Sequence, residues 1–399
     1  MRWWLILVLG ALLAAAPARA DLADQVRDRC VKATQWLIEH QRPDGGWLYE
    51  GTNKSSSMDT GVVLLGLSEF YNRAPENLKP RIKEAVDRGV SYVLKCWDSN
   101  RKMFWDYPGQ SEHEDWLPMY TVHALMGLIA VEKHFPDIAK KYNVDRYVTE
   151  ALERLMSLQR PDGTWANFGP GSWQDPYRCT PIVVWLAEWS GKYKPSDPRV
   201  KRALEWIEGI LTRSPLGGLI SRGVKIDFTA WDLLAFYYSG DRYYRSFVPK
   251  LQQGLLGFQR KDGAFAAHTS VNDTVYGPNG TAAPCPHKTA RVLFALMKTG
   301  MDPFGDRIKR AVEFLLNTKS QDPDGSWFWP TMDNPSKPQE VACRAYSTGW
   351  CLAALAAWLE KAQRSQQGIQ RGGKRPRVPV SPAITLVGLI AALIAPRRF

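Results

Sequence analysis

Leu158-Gln159-Arg160-Pro161-Asp162-Gly163-Thr164-Trp165 is the stretch on which the fold turns. A Pro that pre-sets φ, an Asp that bonds its own backbone and a Gly that takes φ > 0 make a turn with a mechanism. The unit thus reads as the end of an amphipathic helix, a Gln, a Pro-Asp-Gly turn and an aromatic anchor. It recurs, more or less decayed, five more times. The clearest copies run from Trp36-Leu37 to Gln41-Arg42-Pro43-Asp44-Gly45-Gly46-Trp47, from Phe258 to Phe265, and from Phe314-Leu315-Leu316 to Asp324-Gly325-Ser326-Trp327.

A second signal lies between these punctuation marks. A Thr recurs at Thr60, Thr121, Thr180, Thr229, Thr289 and Thr348, at spacings of 61, 59, 49, 60 and 59 residues. Four and seven residues after each Thr stands an apolar residue, as in Leu64 and Leu67 or Leu293 and Leu296, which defines one helical stripe. Each unit is therefore two helices, an outer one ending in the turn and an inner one carrying the Thr. The pattern predicts outer helices over 24–41, 80–97, 145–159, 198–212, 247–259 and 305–318. The inner helices fall over 58–72, 116–134, 176–190, 228–239, 287–299 and 345–362. An all-α fold follows: six helix pairs closed into an α/α toroid, with an open superhelix of helix pairs as the alternative.

The 399 residues are 45% hydrophobic and include 17 Trp, enough for a large aromatic core. The formal charge of +12 sits mostly at the two ends; residues 21–363 hold 43 basic and 40 acidic side chains. A near-neutral body with no basic stripe argues against a nucleic-acid partner. Residues 1–20, with Arg2, the apolar run Leu5–Ala16 and Ala18-Arg19-Ala20, read as a secretory signal peptide. The toroid then occupies 21–363, a basic disordered tether 364–377, and a hydrophobic anchor or sorting tail 378–399 ending in Arg397-Arg398-Phe399. The expected location is outside the cytoplasm, with the tail holding the protein to a membrane.

The Trp-Leu…Gln…Gly-x-Trp units resemble the QW repeats of squalene-hopene and oxidosqualene cyclases. The Thr-Ala/Gly-x-x-Leu/Val helices are similar to the inner helices that those cyclases share with the β subunits of protein prenyltransferases. The resemblance covers roughly residues 24–363 and implies the toroid of the terpenoid cyclase and prenyltransferase superfamily, also met as prenyltransferase and squalene oxidase repeats. It implies an apolar or isoprenoid-like ligand in the lumen. Fold does not fix chemistry, however.

On a helical wheel, Thr, Thr+4 and Thr+7 pack on the outer helices, so Thr−2, Thr+2 and Thr+5 face the lumen. The candidate site is thereby Arg178, Asp227, His287 and Tyr346 at the mouth, with His123, Trp231, Arg291 and Trp350 below and Trp185 and Phe294 deeper still. Polar groups converging above an apolar interior describe a ligand site. The cyclase resemblance would make Asp227, two residues before Thr229, the proton donor, with His287 in the equivalent place of the next repeat. Lys225-Ile226-Asp227-Phe228-Thr229-Ala230 keeps the middle Asp and the Thr-Ala of the cyclase motif but not the flanking carboxylates. A nearby Lys225 favours the ionised form of an acid that must stay protonated to attack an alkene.

Cys285, His287, Asp227 and Cys343 are zinc-ligand types. In an oxidising compartment Cys285 and Cys343 are expected to form a disulfide instead, leaving no metal or other cofactor. Two alternatives to the isoprenoid reading stand. The first is a carbohydrate-active α/α-barrel enzyme, hydrolase or lyase, stacking sugar rings on the lumenal Trp. Hydrolysis would take two carboxylates, Asp227 with Asp59, Asp115 or Asp232. The second is a non-catalytic scaffold that binds a glycan or protein at its rim.

Overall fold

A computed structural model describes residues 2–48, 53–165, 175–213, 226–265, 284–318, 320–321, 327–329 and 344–372. The outer helices are α1 (Arg2–Glu39), α3 (Lys79–Lys95), α6 (Val144–Ser157), α8 (Pro198–Arg213), α11 (Val248–Gly257) and α13 (Asp306–Asn317). The inner ones are α2 (Ser57–Tyr71), α4 (Leu117–His134), α7 (Asp175–Trp189), α9 (Ile226–Tyr238), α12 (Pro286–Lys298) and α14 (Arg344–Gly372). Short helices α5 (Pro136–Lys141) and α10 (Arg242–Arg245) sit in connections. Every expected pair is present, with ends within a few residues of their predicted places, apart from the N-terminus of α1 and the C-terminus of α14.

The two helix classes differ as their surroundings require. In α2, the run from Asp59 to Phe70 is buried throughout, because the helix meets neighbours on all sides. In α3, only one stripe is buried: Ile82, Ala85, Val86, Gly89, Val90, Tyr92 and Val93. Pro80, Pro118 and Pro286 stand in the first turns of α3, α4 and α12, where a missing N–H costs nothing.

The recurring turn proves to be a joint. Gln159 Nε2 donates to Gly163 O of its own turn (3.0 Å) and to Arg199 O of the next outer helix (2.7 Å). Gln41 and Gln259 do the same toward Ala85 O and Arg307 O. Asp162 Oδ1 accepts the Thr164 N–H, closing the turn. Gly163 has φ +88°, and a Cβ there would come within 2.8 Å of Arg202 O on α8, so both conformation and contact exclude a side chain.

The marker Thr completes the joint. The backbone N–H of the anchoring aromatic donates to Thr Oγ1 in Trp47–Thr60 (3.1 Å), Phe104–Thr121 (3.0 Å), Trp165–Thr180 (3.1 Å), Phe265–Thr289 (2.9 Å) and Trp329–Thr348 (3.0 Å). The indole of Trp47, Trp165 and Trp329 donates to Leu37 O, Leu155 O and Leu315 O of the preceding outer helix. In the sixth unit the anchor is therefore Trp329 and not Trp327, the residue that the Asp-Gly-x-Trp spacing selects. Trp327 pairs with Gln321 in a short hairpin, β5 (Ser320–Gln321) with β6 (Trp327–Phe328), and lies under the Arg29 guanidinium, 4.3 Å from its centroid. Similar two-residue hairpins occur as β1 (Trp47–Leu48) with β2 (Ser55–Ser56), and β3 (Trp97–Asp98) with β4 (Met103–Phe104).

The inner helices close on themselves. Gly66 of α2 and Gly349 of α14 bring two backbones together; a Cβ on Gly66 would lie 2.5 Å from Gly349 O. At the C-terminal ends of the inner helices, Lys298 of α12 and Glu69 of α2 form an ion pair of 2.7 Å.

One compact unit runs from Met1 to Ala362 and a second from Gln363 to Phe399. The helix α14 continues to Gly372, past the point where the tether was expected to begin. The helix α1 runs through the expected cleavage position after Ala20. Among the described residues no helix is long and apolar enough to cross a membrane. The expected anchor at 378–399 lies outside them.

Candidate functional site

The Thr register places Arg178, Asp227, His287 and Tyr346 on the first turns of the inner helices, and the other candidates one to two turns further along. Five of these are brought together. His123 of α4 lies 3.1 Å through Nε2 from the hydroxyl of Tyr346 on α14, across the intervening α2. The Tyr346 hydroxyl also receives a hydrogen bond from the Arg291 guanidinium of α12. The His287 ring meets Tyr346 edge to face, centroids 6.0 Å apart, and Arg178 of α7 is close enough to act electrostatically on His123.

The hydrogen-bond roles in this cluster are fixed by its surroundings. His123 Nδ1 is 2.8 Å from Met119 O, one turn back, and a carbonyl can only accept. That nitrogen carries the proton, and Nε2 is an acceptor for the Tyr346 O–H. Burial holds His123 neutral by pushing its pKa down to about 3, and the positive charges of Arg178 and Arg291 add to the effect. The order is therefore Arg291 to Tyr346 to His123 to Met119 O, each group donating to the next.

Below this polar layer the lumen is filled by aromatic side chains. Trp185 stacks on Trp231 with centroids 5.4 Å apart, Trp231 meets Trp350 at 5.3 Å, and Phe294 meets Trp350 at 6.0 Å and Trp185 at 6.3 Å. Trp231 and Trp350 belong to α9 and α14, which are not ring neighbours, so the contact crosses the lumen. Arg291 lies over three of the mouth and floor rings, 5.3 to 5.8 Å from Trp231, Tyr346 and Trp350, a geometry in which the cation is held by ring faces.

Asp227 occupies the first turn of α9, but its side chain lies outside the described residues, as does Cys343. The alternative zinc set and the expected Cys285–Cys343 disulfide therefore lie partly outside the described residues. Cys285 caps α12, and its Sγ is 3.3 Å from His287 Nδ1. This contact was not read from the sequence, although Cys-Pro-His, with Pro in the first helical turn, puts the thiol and the imidazole two residues apart. Of the other carboxylates considered, Asp115 is exposed and Asp59 is buried. Asp232 has its pKa raised by burial. Glu188 of α7, which belongs to no motif and was not singled out from the sequence, is a buried carboxyl pushed up to about 9 by desolvation.

No family model matches the sequence, and no curated protein does. Solved structures match over nearly the whole ring. A cellobiose 2-epimerase from Spirochaeta thermophila aligns with a TM-score of 0.64 at 13% identity, over 88% of this chain and 98% of that one. A type II terpene cyclase from Scytonema, in complex with geranylgeranyl dihydroxybenzoate, aligns with a TM-score of 0.55 at 14% identity, over 86% and 99%. A polysaccharide lyase aligns with a TM-score of 0.57 at 14% identity, over 87% and 98%. The fold is thus the α/α toroid common to terpenoid cyclases and to several sugar-transforming enzymes.

Proposed function

We propose that the protein is a carbohydrate-active toroid enzyme that binds an acidic sugar at the mouth of the ring and moves a proton on it through Tyr346. The observation that carries this reading is the Arg291–Tyr346–His123 chain of hydrogen bonds. Neutral His123 accepts the phenol hydrogen and Arg291 donates to Oη, and together they fix the Tyr346 hydroxyl at the mouth. Arg178 supplies a cation for the carboxylate of a uronate, whose α-carbon is acidified by that neutralisation. If this proton passes to the His287 imidazole, which meets Tyr346 edge to face, the Tyr346 hydroxyl delivers its own proton to the departing glycosidic oxygen in β-elimination, or to the other face of the carbon in epimerisation, and regains one from His287. Similar structures of a sugar epimerase and a polysaccharide lyase support the reading at the level of fold. Export and tethering by the C-terminal tail would give such an enzyme access to polymers outside the cell.

The test is incubation with a panel of uronate-containing polysaccharides, read as ultraviolet absorbance of the unsaturated uronate and as epimerised sugar in the hydrolysate. Product is expected from the native chain and should fall by about 100-fold or more in Tyr346→Phe, the size of a general acid–base contribution. Turnover that is unchanged in Tyr346→Phe, or no product over the whole panel, refutes the proposal.

The second reading, an isoprenoid-like ligand, is favoured by the aromatic lining of Trp185, Trp231, Phe294 and Trp350 and by the cyclase structure bound to a geranylgeranyl compound. In the present conformation these rings touch across the lumen, so a chain would have to part them to pass. This reading predicts a cyclised product from squalene or a polyprenyl substrate that disappears in Asp227→Asn.

A further inference from the structure

Three consecutive residues of the sixth unit, Trp327, Phe328 and Trp329, each grip a different part of the seam between the first and last repeats. The Arg29 guanidinium of α1 lies 4.3 Å from the centroid of the Trp327 ring, and Lys32 Nζ lies 6.0 Å from it. Phe328 meets the Trp36 ring of α1, centroids 5.3 Å apart, and the Arg344 guanidinium at the start of α14 is 4.8 Å from the Phe328 centroid. Trp329 donates through its backbone N–H to Thr348 Oγ1 of α14 and through its indole to Leu315 O of α13. Arg29, Lys32 and Trp36 are spaced three and four apart and share one face of α1, so the hairpin lies along that face.

Elsewhere in the ring a turn Gln reaches the next outer helix, as Gln159 does to Arg199 O. The outer helix that follows the sixth unit is α1, and there the hairpin makes the junction, Gln321 being paired with Trp327. Arg29 is the odd member of this junction. It is buried, and its Nε and Nη1 have no hydrogen-bond partner among the described residues. A buried cation costs stability unless something compensates, and the face of Trp327 is the contact that does so.

We infer that Trp327, Phe328 and Trp329 are the clasp that closes the ring, and that Arg29, acting through it, is a positioning residue for Tyr346. The clasp holds Arg344 and Thr348 of α14, and Tyr346 stands between these two in the first turn. Holding that turn on both sides fixes where the Tyr346 hydroxyl meets Arg291 and His123. The consequence for turnover rests on the function proposed above.

Arg29→Leu, which keeps apolar bulk and loses the cation, and Arg29→Lys, which keeps the cation, test this in the full chain. A merely buried cation would leave Arg29→Leu neutral or stabilised. The clasp instead predicts amide hydrogen exchange faster by about fivefold or more in α1 and the first turns of α14, with α7 and α9 unchanged and part of the protection restored in Arg29→Lys. On a uronate-containing polysaccharide, kcat should fall by a similar factor with KM little changed. Exchange in Arg29→Leu that is unchanged in α14, or raised equally in every inner helix, overturns the clasp. Faster exchange in α14 with an unchanged kcat overturns the positioning of Tyr346. A native chain that turns over no uronate removes the catalytic consequence together with the mouth reading, and exchange in α14 then decides the clasp.

Discussion

The His123 imidazole and the Tyr346 hydroxyl, residues 223 positions apart, are joined by a 3.1 Å hydrogen bond that reaches from the second inner helix to the sixth past the first. The bond depends on His123 staying neutral, and burial beside two arginines ensures this down to about pH 3. In the unfolded chain the same side chain takes up a proton near pH 6.5. The contribution is therefore fully present above about 6.5 and is lost as pH falls toward about 3. Stability should drop by roughly 1.4 kcal/mol per pH unit over that window through this group. Denaturant unfolding of the native chain and His123→Gln between pH 4 and 8 should give curves that converge at acid pH; parallel curves would contradict the buried neutral imidazole.

Glu188 gives the opposite slope. Both of its oxygens are buried with no hydrogen-bond partner among the described residues, and its carboxyl is pushed up to about 9. The folded protein keeps a proton that the unfolded chain releases near pH 4.5. The stabilisation is complete below that value and declines by roughly 1.4 kcal/mol per unit as pH rises to about 9. Glu188→Gln should thus gain on the native chain as pH rises from 5 to 8, measured as the difference in Tm. A constant difference would mean that the carboxyl is already ionised.

Thr180→Val should cost about 1–3 kcal/mol, since it leaves the buried Trp165 N–H without its acceptor. In the sixth unit, Trp329→Phe should cost more than Trp327→Phe, because only Trp329 spans from Thr348 Oγ1 to Leu315 O. A larger loss for Trp327→Phe would restore the assignment made from sequence spacing. Chemical denaturation of the variants decides the matter.

Gly163→Ala and Gly191→Ala separate backbone strain from contact. Both glycines have positive φ, +88° and +76°, but only Gly163 faces a carbonyl, Arg202 O, while among the described residues nothing lies within 4 Å of a Cβ at Gly191. Gly191→Ala should cost about 1 kcal/mol, and Gly163→Ala clearly more, with loss of the Gln159 bridge to Arg199. Equal costs would show that α8 can yield at the joint.

The six-fold architecture was legible because its two markers are local. A Pro-Asp-Gly turn and a Thr at one helical phase each act within a single repeat, and both recur at nearly fixed spacing. Trp329 was misassigned because the sixth unit inserts a hairpin between turn and anchor, so that counting from Asp324-Gly325 stops two residues early. Phe104 was missed for a related reason: its repeat has the Thr and the aromatic anchor but not the Pro-Asp-Gly turn. The lumenal faces of the helices followed from the wheel, which is why Arg178, His123, Arg291 and Tyr346 could be grouped. Their pairing could not, since which side chains meet across a ring depends on the diameter and on rotamers.

The Gly66–Gly349 contact carries a further consequence. In an open stack of repeats the terminal units fray first, and their amides exchange with solvent faster than those in the middle. Here the first and last inner helices are each other's neighbours, so neither is an end. Hydrogen exchange in α2 and α14 should be as slow as in α7 and α9, and the ring should come apart in one event instead of peeling from its termini.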